Sequence, residues 1–263
     1  MKKYAFIFKS NLIANLQYIG NIMIGFITYF IVIFIFLNLW QYIYSDPTEV
    51  INGYTMNQMV WYVIITEVLW YATGGRKLCK KISNDVKSGN IAYNINKPYS
   101  YVGYCLANHM SEALLKGFLY TIAGLIMGFV LLGGIANFQL IAIPFIIITA
   151  IFATLINIAF VICIGLVSFW IEDSGPFYWV YSKIILVLGT MFPIEYFPHI
   201  IQPILKFSPV FVTTYGPAKL FVDFSWTNCL TIIVAQIGYL MISIGICSLI
   251  YRRGVRRLNV NGG

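Results

Sequence analysis

The sequence predicts an all-α integral membrane protein: one transmembrane domain over residues 1–263, six transmembrane helices, and both termini in the cytoplasm. Composition and patterning lead to this prediction. Of the residues, 60% are hydrophobic and only 10% are charged, and the mean hydropathy is +0.81. A water-soluble domain needs roughly a quarter of its residues charged to cover its surface. The apolar residues also form long blocks separated by short polar segments, as expected when lipid is the solvent.

Each element follows from a stretch of the chain. Residues 1–18 mix basic, polar and aromatic side chains and predict an interfacial elbow helix at the cytoplasmic surface, with a frayed tail as the alternative. Six apolar runs predict the spans: residues 22–39, 56–73, 113–132, 141–170, 177–192 and 229–251. The second and fifth runs are short and contain Glu67 and Lys183, so four spans is the alternative if neither of them crosses.

The distribution of charge sets the orientation. Of the 17 Lys and Arg residues, 13 fall in residues 1–18, 74–100 and 252–257, which therefore belong to the cytoplasmic side. Trp40, Tyr42 and Tyr44 follow the first span and predict an aromatic belt at the outer interface. Since every basic cluster flanks an apolar span, the net charge of +8 does not indicate nucleic-acid binding.

Residues 193–227 hold five of the nine prolines yet remain rich in Ile, Phe, Leu and Val. Proline at this density prevents one continuous helix. Irregular backbone at membrane depth has to be shielded by protein or line a water-filled cavity. We therefore expect short re-entrant helices between the fifth and sixth spans, with an outer gate at Pro193, Glu195 and Pro198. An apolar loop resting on the bilayer surface is the alternative.

No motif supplies catalysis. The chain contains no G-x-x-x-x-G-K-[ST] phosphate loop, no G-x-G-x-x-G and no H-E-x-x-H. Its five cysteines show no C-x-x-C pairing. We therefore expect a protein that is not an enzyme and that binds no cofactor or metal of its own, so that any energy source has to lie in a partner.

A few polar groups lie inside the predicted spans, where they are costly and usually face protein or water. Glu67 and Asn157 are the candidates for a substrate path, although both are also compatible with holding neighbouring helices together. Glu112 and Lys116 are four residues apart and predict an ion pair on one helix face. Gly124 and Gly128 form a G-x-x-x-G spacing that lets another helix approach closely.

The cytoplasmic loop carries a resemblance to a known family. Residues 82–104 resemble the cytoplasmic loop of ABC-2 type (type II export) permeases, in the branch associated with multidrug and viologen export. Residues 53–62, 193–198 and 215–217 look like that family's second-helix start and outer loop. The positions of the loop pattern are Ile82, Val86, Lys87, Gly89, Ile91, Ile95, Lys97 and Pro98.

The resemblance implies a permease subunit of the bacterial cytoplasmic (plasma) membrane. It would pair with a second permease, identical or paralogous, and with two soluble ABC ATPase subunits that hold the ATP and Mg²⁺. The cargo would be hydrophobic or amphipathic: a drug, antibiotic, small peptide or lipid. Residues 74–100 would form the cytoplasmic coupling loop, whose residues toward the ATPase are Ile82, Asp85, Val86, Lys87, Gly89, Asn90 and Ile91.

Two other functional classes remain open from the sequence. A lipid-modifying membrane enzyme needs an interfacial acidic or histidine cluster, and Glu172 with Asp173 is the only adjacent acidic pair. An ATP-independent transporter is the other, and such proteins commonly contain an internal repeat.

Overall fold

A computed structural model describes residues 2–17, 19–46, 48–134, 138–171 and 173–260. Met1 and Tyr18, at the ends of the predicted elbow, and Glu172, of the acidic pair, lie outside these residues. Helices account for most of the described chain. Its strands form one antiparallel hairpin with two residues in each strand. The elements are α1 (Lys2–Gln17), α2 (Ile19–Ile43), β1 (Val50–Ile51), β2 (Tyr54–Thr55), α3 (Met56–Ala72), α4 (Arg76–Lys87), α5 (Asn90–Ile95), α6 (Tyr101–Leu132), α7 (Ile143–Leu166), α8 (Gly175–Ile185), α9 (Gln202–Lys206), α10 (Gly216–Val222) and α11 (Trp226–Val260).

Four helical segments are long and apolar enough to cross a membrane, which makes this a multi-pass membrane protein. They are Ile22–Ile43, Tyr101–Leu132, Leu140–Phe169 and Trp226–Arg257. Residues 101–112 belong to the same helix as the third apolar run, since α6 is continuous from Tyr101 to Leu132.

The other two predicted spans are helical but short. Helix α3 has 17 residues, at the lower limit for crossing, and most of its side chains are buried by neighbouring helices. Helix α8 has 11 residues and continues into the π-helical turn Leu186–Met191. Whether these two elements cross the membrane stays a prediction.

Local sequence signals place the ends of α3 and α6. Thr55 and Gln58 form a reciprocal capping box that begins α3 directly after the β-hairpin. Ser100 caps the amino terminus of α6 with its side chain, and Gly133, in the left-handed conformation, ends that helix. Both caps satisfy backbone groups that a helix end leaves unpaired.

The cationic segments meet at one end of the bundle. Lys3 donates through Nζ to the carbonyl of Pro98, and the amide of Ser100 donates to the hydroxyl of Tyr4 at 2.9 Å. At the same end, the rings of Tyr101 and Tyr251 stack with their centroids 6.2 Å apart. Helix α1, the basic loop and the carboxyl-terminal part of α11 therefore lie together at this end.

Candidate coupling hairpin and transmembrane pathway

The basic loop folds into a helical hairpin, which we call the coupling hairpin: α4, α5 and Gly89 between them. Gly89 has φ +74°, a left-handed conformation that reverses the chain direction and that L side chains rarely adopt. Helix α4 is strongly amphipathic. Its buried face consists of Leu78, Cys79, Ile82, Ser83 and Val86.

This buried face attaches the hairpin to the body of the protein. Ile82 is fully buried and packs on Gly165 near the end of α7. The hydroxyl of Ser168 donates to that of Ser83 at 2.9 Å. The hairpin is therefore packed directly on the adjoining end of α7.

The predicted coupling residues divide into two sets. Ile82, Val86 and Ile91 are buried in the chain's own core, which revises the expectation that their side chains face the ATPase. Lys87, Gly89 and Asn90 are exposed at the tip and are free to meet one. Asp85 is half-buried and accepts a hydrogen bond of 2.7 Å from the hydroxyl of Tyr101, which braces the hairpin against α6.

The two candidate path residues lie in different surroundings. Glu67 is 2% exposed and sits among aromatic side chains close to Tyr29 and Tyr71. Asn157 lines a cavity of about 320 Å³, where it accepts from the hydroxyl of Tyr181 at 2.6 Å. Glu67 is not among the residues lining that cavity, so the structure does not bring the two together.

The predicted helix contacts on α6 are present. Lys116 and Glu112 form an ion pair of 2.6 Å. Gly128 lies directly beneath the indole of Trp61, and Gly124 faces Tyr29, so the small residues let α6 pack closely on the neighbouring helices of the same chain. The G-x-x-x-G spacing is therefore satisfied within one subunit.

The proline-rich segment forms short helical pieces, as its composition predicts. They are Ile194–Tyr196, α9, the π-helical turn Phe211–Tyr215 and α10. All of α10 is buried against other helices of the chain, mainly α3 and α7. Its depth in the membrane stays a prediction.

Glu195 is the centre of a polar group that we call the outer cluster, with Tyr54, Tyr215, Lys219 and Asp223. The Glu195 carboxylate accepts from the hydroxyls of Tyr54 and Tyr215 at 3.0 and 2.5 Å. Lys219 lies 3.6 Å from the same carboxylate and 2.8 Å from that of Asp223. Burial, with smaller effects of neighbouring Tyr215 and Glu195, raises the pKa of Tyr54, so its hydroxyl remains a donor.

The other two predicted gate residues flank this cluster. Pro193 is buried and immediately precedes the turn that carries Glu195, whereas Pro198 is exposed. The predicted aromatic belt is wrong for two of its three members, because Trp40 and Tyr44 are buried. Tyr44 shares a hydrogen bond of 2.7 Å with Tyr196, so it contributes to the chain's own packing instead.

The π-helical turn after α8 exposes backbone carbonyls that α3 satisfies. Tyr62 donates to the carbonyl of Gly189 at 2.7 Å, and Thr66 donates to that of Thr190 at 2.9 Å. Sequence reasoning missed this contact, because a π-helical turn has no sequence signature in the residues themselves. It also missed a cationic cavity beside α4, described below.

In the part of the chain that the structure describes, no three His, Cys, Asp or Glu side chains are grouped as a metal site would require. A family model described as "ABC-2 family transporter protein" matches residues 26–262, nearly the whole chain. A search of curated proteins finds no significant match.

Proposed function

The chain belongs to the ABC-2 family of transporter proteins and is a transmembrane subunit of an ABC transporter; we propose that it exports hydrophobic or amphipathic molecules from the cytoplasm or the inner leaflet. In this proposal it resides in a bacterial cytoplasmic membrane with six spans and belongs to the multidrug and viologen branch. Two copies, or one copy and a paralogue, pair and bind two soluble ATPase subunits, which bind ATP and Mg²⁺.

The observation that carries the proposal is the seating of the coupling hairpin. Its apolar face is fixed to α7, and its tip at Lys87, Gly89 and Asn90 is exposed. A soluble ATPase that contacts the tip therefore acts on α7. ATP binding closes the ATPase pair and draws the hairpins together, and hydrolysis resets them.

A contiguous series of contacts leads from α7 to the opposite end of the bundle, which supports the proposal that a movement of the coupling hairpin is transmitted there. Gln236 of α11 donates to the carbonyls of Thr149 in α7 and Val212 in the turn Phe211–Tyr215, both at 2.9 Å. Tyr215, in the same turn, donates to Glu195 of the outer cluster. In this proposal, a displacement of α7 reaches the outer cluster through these contacts, and the outward opening lies there.

Copurification and ATPase assays test the proposal. A soluble ABC ATPase encoded by a neighbouring gene should copurify with the wild type, and Asn90→Trp at the hairpin tip should abolish its capture. Thr227→Trp, at an exposed site on the opposite end of the bundle, should leave capture unchanged. Uptake of ethidium by this chain alone, in vesicles free of ATP, would contradict the proposal.

A further inference from the structure

Two adjoining cavities open beside the coupling hairpin, between the end of α3, the start of α4, and α8. The outer one has a volume of about 730 Å³ and the inner one about 320 Å³, both in the range of small-ligand sites. They share lining residues Trp70, Arg76, Tyr178 and Ser182, so the two cavities lie side by side with these side chains between them.

The outer cavity is strongly cationic. Among the residues that the structure describes, which do not include Glu172, its lining contains the four basic side chains Arg76, Lys80, Lys87 and Lys183 and one carboxylate, that of Asp173. Among the described residues, none of these four cations forms an ion pair. Asp173 is engaged locally, since its Oδ1 accepts from the amide of Gly175 at 3.0 Å. A cleft lined by one sign of charge concentrates ligands of the opposite sign.

The inner cavity has a different lining. It runs past Val161, Tyr181 and Ile185 and reaches Thr213 and Thr214, in the same π-helical turn as Tyr215 of the outer cluster. Of the described residues, Lys77 and Lys116 are the further cations in its lining, and Glu112 forms an ion pair with Lys116. Many of the lining residues are polar, including Asn157, Thr213 and Thr214, but most of the surface that they present to the cavity is apolar, so a hydrocarbon chain fits there.

We propose that this composite cavity binds a phosphate-bearing amphipath, with the phosphate among Arg76, Lys80 and Lys183 and the hydrocarbon chain in the inner cavity. Guanidinium and ammonium groups are the side chains that bind phosphate best, and several together suit its double charge. The site repels an organic cation, so within the proposed transport function it favours anionic amphipaths over the cationic drugs of the resembling branch. Only this last step rests on the proposed function.

Calorimetric titration of the purified full chain in maltoside micelles tests the proposal without an ATPase. The probes are dodecyl phosphate, zwitterionic dodecylphosphocholine, butyl phosphate and inorganic phosphate. The wild type should bind dodecyl phosphate in preference to the other three. Because no ATP or transport is involved, this result is independent of whether the chain exports anything.

Matched variants locate the site. The double variant Arg76→Gln with Lys183→Gln removes two cations of the outer cavity. It should weaken dodecyl phosphate binding about tenfold, because two partly solvated charge contacts to the phosphate are lost. Arg252→Gln with Arg253→Gln removes the same charge from exposed positions of α11 that line neither cavity, and should change binding less than about twofold. Ser182→Trp, at the junction of the cavities, should weaken dodecyl phosphate but not butyl phosphate.

Each contrary result overturns a part of the proposal. If both double variants weaken dodecyl phosphate binding equally, diffuse surface charge and not this cavity attracts the ligand. If dodecylphosphocholine binds as tightly as dodecyl phosphate, only the hydrocarbon chain of the ligand is recognised. Inorganic phosphate binding as tightly as dodecyl phosphate would identify a site for the free anion. If Ser182→Trp does not reduce the affinity difference between dodecyl phosphate and butyl phosphate, the hydrocarbon chain of the ligand does not occupy the inner cavity. Unchanged elution and thermal unfolding of each variant establish that it is folded.

Discussion

The hydroxyl of Tyr54 donates a 3.0 Å hydrogen bond to the carboxylate of Glu195, although 141 residues separate them in the chain. Tyr54 belongs to the β-hairpin before α3, and Glu195 to the proline-rich segment. Since Tyr215 and Lys219 also contact this carboxylate, a single side chain ties together the β-hairpin, the turn Phe211–Tyr215 and α10.

Glu195→Gln should loosen the outer cluster, because the amide removes the charge that strengthens the bonds from Tyr54 and Tyr215. We expect a loss of about 1 kcal/mol in the free energy of unfolding for this partly exposed group. The rate at which an introduced cysteine, His199→Cys, reacts with maleimide should rise. Glu49→Gln, an exposed carboxylate of the same region, is the control and should leave that rate unchanged.

Cysteine labelling from either side should establish the topology. Asn90→Cys at the hairpin tip should react in inside-out vesicles, and His199→Cys in right-side-out vesicles. The native background should be low, because all five cysteines are buried. Burial also raises the pKa of the Cys79 thiol in the hairpin, which lowers its thiolate fraction. The reverse labelling pattern would contradict the orientation and the coupling role with it.

Gly89→Ala should uncouple ATP hydrolysis from transport. An alanine at φ +74° has open space around its Cβ but costs about 1–2 kcal/mol in backbone strain, which the hairpin relieves by changing its turn. The measurement is ATPase activity of the assembled complex with and without transported probe.

Gly53→Ala provides a matched control for the Gly89 experiment. Gly53 has φ +86° and equally open surroundings, but it lies in the β-hairpin turn at the other end of the bundle. Gly53→Ala should lower the free energy of unfolding by a similar amount and leave ATP hydrolysis coupled to transport. If both variants uncouple alike, a general loss of stability explains the effect and Gly89 has no special role.

Gly128→Ala should destabilise the bundle by about 1–3 kcal/mol, because the added methyl group overlaps the indole of the fully buried Trp61. Gly238→Ala in α11, where nothing lies near the new Cβ, should be neutral or stabilise by up to about 1 kcal/mol. Thermal unfolding of the two variants in the same detergent measures the difference. Equal effects would show that the Trp61 contact does not decide the result.

The long helices were predictable, because their signal lies in local composition. An apolar run such as residues 229–251 needs only its own side chains to identify it as a membrane helix. The cap at Ser100 and the reversal at Gly89 likewise depend on residue type at one position.

The contacts between elements were not predictable in the same way. The inward orientation of Ile82 depends on Gly165, and the engagement of Glu195 depends on Tyr54, both far away in sequence. A single sequence contains no measure of such proximity. The cationic cavity is hidden for a related reason, since the sequence presents Lys183 as a charge within an apolar run and does not reveal that it lines one cavity with Arg76.

The hydrogen bonds from Tyr62 and Thr66 to the carbonyls of Gly189 and Thr190 constrain how the bundle deforms. Sliding the turn Leu186–Met191 along α3 would break both bonds in a buried place where water cannot replace them, at a cost of several kcal/mol. We therefore expect α3 and this turn to move together in a conformational change. Relative displacement has to occur at their boundaries with other elements, so distance probes placed across α3 and the turn Leu186–Met191 should register constant separation.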